Sequence, residues 1–88
     1  MFMIDKKLTL LKSLADETRL KIVTFLIDGE KCVCEIFPYV KKTQSTVSIH
    51  LNNLEKSGVV QSRRQGKYIY YKIADKKIIE LIKLLEKK

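Results

Sequence analysis

Thr43-Gln-Ser-Thr-Val-Ser-Ile-His-Leu-Asn-Asn-Leu-Glu-Lys-Ser-Gly58 is the stretch whose reading decides the fold. At helical spacing, about 100° per residue, Val47, Leu51 and Leu54 fall on one side at i, i+4 and i+7, a stripe that has to be buried. The opposite side carries Ser45, Ile49 and Asn52, flanked by Thr46, Ser48 and Asn53, with no acid before Glu55. A merely solvated helix would display Glu and Lys there. Small hydroxyls, amides and one branched aliphatic instead suit a helix laid in a DNA major groove, where such side chains bond base edges and an aliphatic meets a thymine methyl. Thr43 is placed to cap this helix and Ser57-Gly58 to close it.

Toward the N-terminus, Lys41-Lys42 reads as a turn, preceded by Cys32 to Val40 with Val33, Ile36, Phe37 and Val40 at helical spacing. Pro38 cannot donate to the Cys34 carbonyl and its ring crowds that oxygen, so this short third helix is expected to bend or start late. Residues 3–15 read as a first helix with a narrow seam of Leu8, Leu11 and Leu14. Asp16 caps a second, with Glu17 in its first turn. Its stripe of Leu20, Val23 and Ile27, broadened by Ile22, Phe25 and Leu26, predicts the most buried element, ended by Asp28-Gly29.

Past Gly58 the period changes from 3.6 to 2. Val59-Val60-Gln61-Ser62-Arg63 and Lys67-Tyr68-Ile69-Tyr70-Tyr71-Lys72-Ile73 read as two strands, with Arg64-Gln65-Gly66 as the hairpin tip. Asp75 caps a final helix, where Ile78, Ile79, Leu81, Ile82, Leu84 and Leu85 leave few polar faces. That apolar excess, with the leucine seam of the first helix, reads as a homodimer interface; a well-buried terminal helix in a monomer is the alternative. The expected fold is mainly α with a small β-hairpin, in the order α-α-α-α-β-β-α. This is a winged helix-turn-helix filling a single domain over residues 1–88.

The 88 residues are too few for two cores, since a typical domain has about 100. No apolar run approaches the ~20 residues of a membrane helix and no signal peptide opens the chain, so a cytoplasmic protein without a membrane partner is expected. Net charge is +8. Between Glu55 and Asp75 there is no acid, while Lys56, Arg63, Arg64, Lys67 and Lys72 are basic. A local block of this kind reads as a polyanion footprint, against the alternative of a lysine-rich solvated surface. Cys32 and Cys34 are too few for a disulfide scaffold, and a bridge between such near neighbours would be strained; free thiols, ligands or redox-active groups are expected.

In a winged helix-turn-helix the second helix of the pair enters the major groove and its N-terminal residues meet the bases. Gln44, Ser45, Thr46, Ser48 and Ile49 are therefore the candidate base-edge or adjacent phosphate contacts. Arg63, Arg64 and Lys67 on the wing are candidate phosphate or minor-groove contacts. His50 lies toward the core edge, where packing or a phosphate contact suits it better than metal ligation. Tyr68, Tyr70 and Tyr71 fall on both wing faces, and packing on the helices accounts for at least two of them better than base stacking does.

Leu11-Lys-Ser-Leu-Ala-Asp-Glu-Thr-Arg-Leu20, Glu30-Lys-Cys-Val-Cys-Glu35, Gln44-Ser-Thr-Val-Ser-Ile-His-Leu51 and Gly66-Lys-Tyr-Ile-Tyr-Tyr71 together resemble the ArsR/SmtB family of metal-sensing transcriptional repressors, in the family's order over about residues 8 to 74. The resemblance implies a homodimeric repressor of metal or metalloid resistance genes, bound to double-stranded operator DNA and released when an inducer binds. It places Cys32 and Cys34 at the family's two thiol positions, which would suit an arsenite-like metalloid or a soft divalent metal such as cadmium or lead. No constitutive cofactor is implied. The chain departs from the family where Phe37 replaces a third cysteine, where further N-terminal cysteines are missing, where Lys77 follows Asp75 in place of a histidine, and where Ile49 replaces a common histidine.

Residues i and i+2 of a regular helix point about 200° apart, so sharing one ion would need the bend that Pro38 invites. Buried inert cysteines and a thiol redox switch are the alternatives. A ligand-independent regulator, or a protein-interaction winged helix that never reads DNA, competes with the repressor reading. An enzyme is the poorest option: His50 has no sequence-visible acid or nucleophile partner, and no motif places an activating base beside the cysteines.

Overall fold

The computed structural model describes residues 2–86, in the order α1 (Phe2–Leu14), α2 (Glu17–Leu26), β1 (Lys31–Cys32), α3 (Val33–Val40), α4 (Gln44–Lys56), β2 (Val60–Gln65), β3 (Tyr68–Ile73) and α5 (Lys76–Glu86). This is the expected mainly helical winged helix-turn-helix, with one short strand added. Met1, Lys87 and Lys88 lie outside the described residues.

Local chemistry sets the helix starts. The Asp16 carboxylate accepts from the Arg19 N–H at 3.0 Å, and the Thr43 hydroxyl accepts from the Thr46 N–H at 3.2 Å. Each satisfies an N–H that the first turn leaves without an intrahelical partner. Asp75 does the same for α5, accepting from the Lys77 N–H at 2.9 Å. α3 ends at Lys41, whose φ of 57° is left-handed, with its N–H donating to the Pro38 carbonyl at 3.2 Å. α4 ends through Ser57 and Gly58, whose φ of 84° suits a residue without a Cβ.

Val47, Leu51 and Leu54 of α4 are at most 1% exposed and form the middle of one core with Ile22, Val23 and Leu26 of α2 and Ile36 of α3. The expected stripe of α2 is corrected: Leu20 is 37% exposed, and Ile22, Val23 and Leu26 are the buried set. α2 packs on α1, α3, α4 and β3 at once, so its buried face is set by several neighbours and not by one i, i+3, i+7 line.

The sheet has three strands in the order β1-β3-β2, all antiparallel. β1 is only two residues long, pairing Lys31 with Tyr71 and Cys32 with Tyr70, too short for any periodicity to announce it. The hairpin tip is also corrected. Gln65 pairs with Tyr68 and Arg64 with Ile69, so the turn is Gly66-Lys67, with Gly66 at φ 63°. A two-residue turn matches the strand twist better than the longer loop expected. Tyr71 is buried while Tyr68 is exposed, as strand alternation requires.

Leu14 of α1 and Ile78 and Ile82 of α5 reach the core, but Ile4, Leu8 and Leu11 and Leu84 and Leu85 are 47–69% exposed. Two terminal helices thus carry apolar side chains that the monomer leaves uncovered. Among the described residues, no helix is long and apolar enough to cross a membrane.

The Asp16 cap gives a direct test. The Arg19 N–H bond, aided by the charges of Arg19 and His50, holds the Asp16 carboxyl below the usual carboxylate range. A depressed value stabilises the fold above the unfolded-state pKa, and that contribution is lost as pH falls through the folded one. Asp16→Ala is expected to cost about 1 kcal/mol in urea unfolding near neutral pH. The deficit should shrink as the titration drops below about pH 4. A cost unchanged in acid would assign the effect to packing instead.

Candidate nucleic-acid interface and its thiol pair

With one side of α4 locked into the core, its first turns project Gln44, Ser45, Ser48 and Ile49 together as exposed side chains, Ile49 being 68% exposed. The other two expected contacts on this helix sit differently. Thr46 is half-buried and its hydroxyl oxygen accepts from the Thr43 hydroxyl at 3.0 Å, so it belongs to the cap. His50 turns toward α2, its side chain 19% exposed, with Nδ1 at 3.3 Å from an Arg19 guanidinium nitrogen and 4.0 Å from the Asp16 carboxylate.

Arg19 also donates from Nε to the Ser13 carbonyl at 2.7 Å, tying the end of α1, the start of α2 and the middle of α4. A second link runs beside it. Ser57 donates to the Ser13 hydroxyl at 2.8 Å, which in turn donates to Asn53 Oδ1 at 3.0 Å. Asn53, which the helical wheel places beside the outer polar face, anchors α4 to α1. Sequence reasoning missed both links because their partners are 31 and 40 residues apart. The visible signals were the Asp16 cap and a small serine next to Leu14 near the end of the first helix.

On the wing, Arg64 and Lys67 have no ion-pair partner among the described residues, and the Lys67 ammonium lies 5.6 Å from the Tyr68 ring centroid. Arg63 is different. Its Nε and Nη2 donate to the two Glu30 carboxylate oxygens at 2.8 and 2.7 Å, and Nη1 donates to Gln65 Oε1 at 2.7 Å. Its guanidinium lies 4.6 Å above the Tyr70 ring. The Arg63 hydrogen bonds hold the Glu30 carboxyl below its usual range, and Glu30 in turn raises the Arg63 guanidinium.

Cys32 and Cys34 come together, by a route other than the one expected. Cys32 is not in α3. It is the N-cap, extended at φ −72° and ψ 146°, and its sulfur accepts from the Cys34 N–H at 3.2 Å. Glu35 completes a capping box by accepting from the Cys32 N–H at 2.8 Å. The 200° divergence of a regular helix therefore does not arise. The sulfurs are joined as a disulfide pair, with Cα atoms 5.1 Å apart, where free thiols, ligands or redox-active groups are expected and a bridge between such near neighbours is not. α3 runs through Pro38 to Val40, because only the first-turn Cys34 carbonyl loses a donor, and the sulfurs meet through the extended backbone of Cys32 ahead of the helix.

Cys32 is buried and Cys34 exposed. Both border a cleft of about 490 Å³ that opens between α3, α4 and the wing, with Gln44 and Ser48 on one wall and Lys67 and Tyr68 at its end. Among the described residues, no group of three or more His, Cys, Asp or Glu side chains is placed to hold a metal. The Asp75 carboxylate is engaged in capping α5.

Residues 16–62, just over half the chain, match the model of the bacterial regulatory protein arsR family. Over 83 residues and 93% of each chain, the sequence is 41% identical to an uncharacterized HTH-type transcriptional regulator of Methanocaldococcus jannaschii. It is 47% identical over 74 residues to the cadmium resistance transcriptional regulatory protein CadC of Listeria innocua, covering 83% of this chain and 62% of that protein. The fold superposes with a TM-score of 0.89, at 32% identity and over 96% of this chain and 78% of the other, on a homodimeric winged helix-turn-helix DNA-binding domain from Mycobacterium bovis described as a possible ArsR-family regulator. The chain belongs to the arsR family of DNA-binding transcriptional regulators.

Proposed function

We propose that residues 1–88 act as one domain, a cytoplasmic homodimeric repressor that reads operator DNA with the first turns of α4 and is released by a soft thiophile at Cys32 and Cys34. The observation that carries the reading half is the exposed, uncharged face of Gln44, Ser45, Ser48 and Ile49 beside the unpaired cations Arg64 and Lys67. The amides and hydroxyls bond base edges, Ile49 meets a thymine methyl, and the wing cations replace counterions on the phosphates. Thr46 and His50 contribute by holding the helix, His50 through Arg19. The uncovered leucines of α1 and α5 supply the homodimer contact, in keeping with the homodimeric relative from M. bovis.

The sensing half rests on the chemistry of the donor set. Two sulfurs side by side, one buried and one exposed, select soft ions when reduced, and the cadmium-resistance relative supports that class. A two-sulfur site leaves the remaining ligand positions to solvent or another copy. Cys32 and Cys34 would hold such an ion through their sulfurs. Cys32 Sγ would carry the ion and the Cys34 N–H bond together, so any shift of that sulfur would be felt at the start of α3, next to the cleft bordered by Gln44 and Ser48.

A second reading is favoured by the paired sulfurs themselves: two thiols lose two protons and two electrons to an oxidant such as a peroxide, forming the bond seen here.

Three outcomes follow. Gln44→Ala and Ile49→Ala should lose about 1–3 kcal/mol of discrimination between operator and random duplex, measured by competition. Arg64→Ala and Lys67→Ala should each weaken every duplex alike and lower the slope of log affinity against log salt by about one. Equal binding of all sequences by the parent would reject the repressor reading. Under reductant, cadmium or arsenite should release the parent from DNA and leave Cys32→Ser/Cys34→Ser bound. Release by peroxide and not by cadmium selects the redox reading, and no response to either discards a thiol sensor.

A further inference from the structure

We infer that Arg63 is not a DNA contact but a positioning residue: clamped by Glu30, it fixes the wing against the strand that carries Cys32. The inference rests on the operator-binding reading above and concerns how the wing is aimed.

All three guanidinium nitrogens of Arg63 are engaged, two on the Glu30 carboxylate and one on Gln65, and the guanidinium lies over the Tyr70 ring. A phosphate could reach this fork only by displacing a carboxylate that already fills it bidentately, the geometry in which arginine binds either group best. Glu30 also lies within the influence of Lys72, so its charge is offset from the sheet side as well. The Glu30 side chain is 28% exposed and that of Arg63 50%, so the pair lies at the surface and its geometry, not its burial, is what distinguishes it.

The topology says what the clamp joins. Glu30 immediately precedes β1, Arg63 sits in β2, and β3 runs between them. Tyr70 of β3 pairs with Cys32 on one side and with Arg63 on the other. The ion pair therefore spans the sheet from edge to edge across Tyr70. β1 contributes only two residue pairs to the sheet, and residues 61–65 of β2 are all exposed. With so little packing under the outer wing, the bidentate cross-sheet pair acts together with the Ser62 hydroxyl, which donates to the Glu55 carboxylate of α4 at 2.7 Å, to hold the hairpin against the helical body. Positions of Arg64 and Lys67 relative to α4 then depend on both.

The two roles for Arg63 predict opposite signs. Removing an acid near a DNA-binding surface ordinarily tightens binding, because a negative charge facing phosphates is lost. If Glu30 instead orients the wing, its removal loosens binding. The test uses the full chain and a duplex enriched by the parent from a random-sequence pool, with affinity measured over a salt series for Glu30→Gln and Arg63→Lys. Both variants are expected to bind about three- to tenfold more weakly while keeping the parent's salt slope, since no phosphate contact is lost. Arg63→Lys keeps the charge but not the fork. Thermal unfolding separates lost fold from lost aim, and if Glu30→Gln proves unfolded, Arg63→Lys decides alone.

Unchanged or tighter binding by Glu30→Gln, or parent-like affinity in Arg63→Lys, overturns the inference and restores Arg63 as a charge contact. A parent that selects no duplex overturns the operator reading and the clamp together; a parent that binds while Glu30→Gln binds tighter overturns the clamp alone.

Discussion

Val47, Leu51 and Leu54 are at most 1% exposed, and their burial is the constraint from which the rest of the molecule can be followed. Three apolar side chains on one line of a helix fix its rotation about its own axis, and truncating any of them would cost roughly 2–5 kcal/mol in a core this small. Once that rotation is fixed, Gln44, Ser45, Ser48 and Ile49 have to face outward. Hydrophobic packing thus selects which polar groups are presented, although it makes no contact with any partner itself.

Rotation alone does not set the tilt or the height of a helix, and here polar bonds contribute. Arg19 joins the Ser13 carbonyl and His50, and Ser13 links Ser57 to Asn53. The Ser13 side chain is buried, so losing either partner would leave a polar group without water to replace it. The charge-assisted bond from Arg19 to the Ser13 carbonyl fixes position where sliding apolar contacts do not.

Cys32 occupies two structural roles at once. Its backbone pairs with Tyr70 in the wing sheet, and its sulfur caps the helix that leads into α4. Chemistry at that sulfur therefore bears on both elements that frame the cleft, through a strand on one side and a helix start on the other. Such a position places that sulfur next to both candidate DNA-facing parts without a long path through the core.

The sequence by itself determined the helices, their caps at Asp16, Thr43 and Asp75, the buried line of α4 and the hairpin that follows it. These depend on periodicity and on residues three or four apart, which a one-dimensional reading contains. The two-residue strand β1, the anchoring of His50 and Asn53, the meeting of Cys32 with Cys34 and the capture of Arg63 by Glu30 were decided only by the tertiary structure. Glu30 and Arg63 are 33 residues apart and meet only because β3 lies between their strands. A basic block counted along the chain takes every cation as free, whereas folding brings an acid to one of them and leaves Arg64 and Lys67 facing outward. For the cysteines the reason is conformational: a helix period applied through Cys32 points the sulfurs apart, while the extended backbone of an N-cap turns them toward each other.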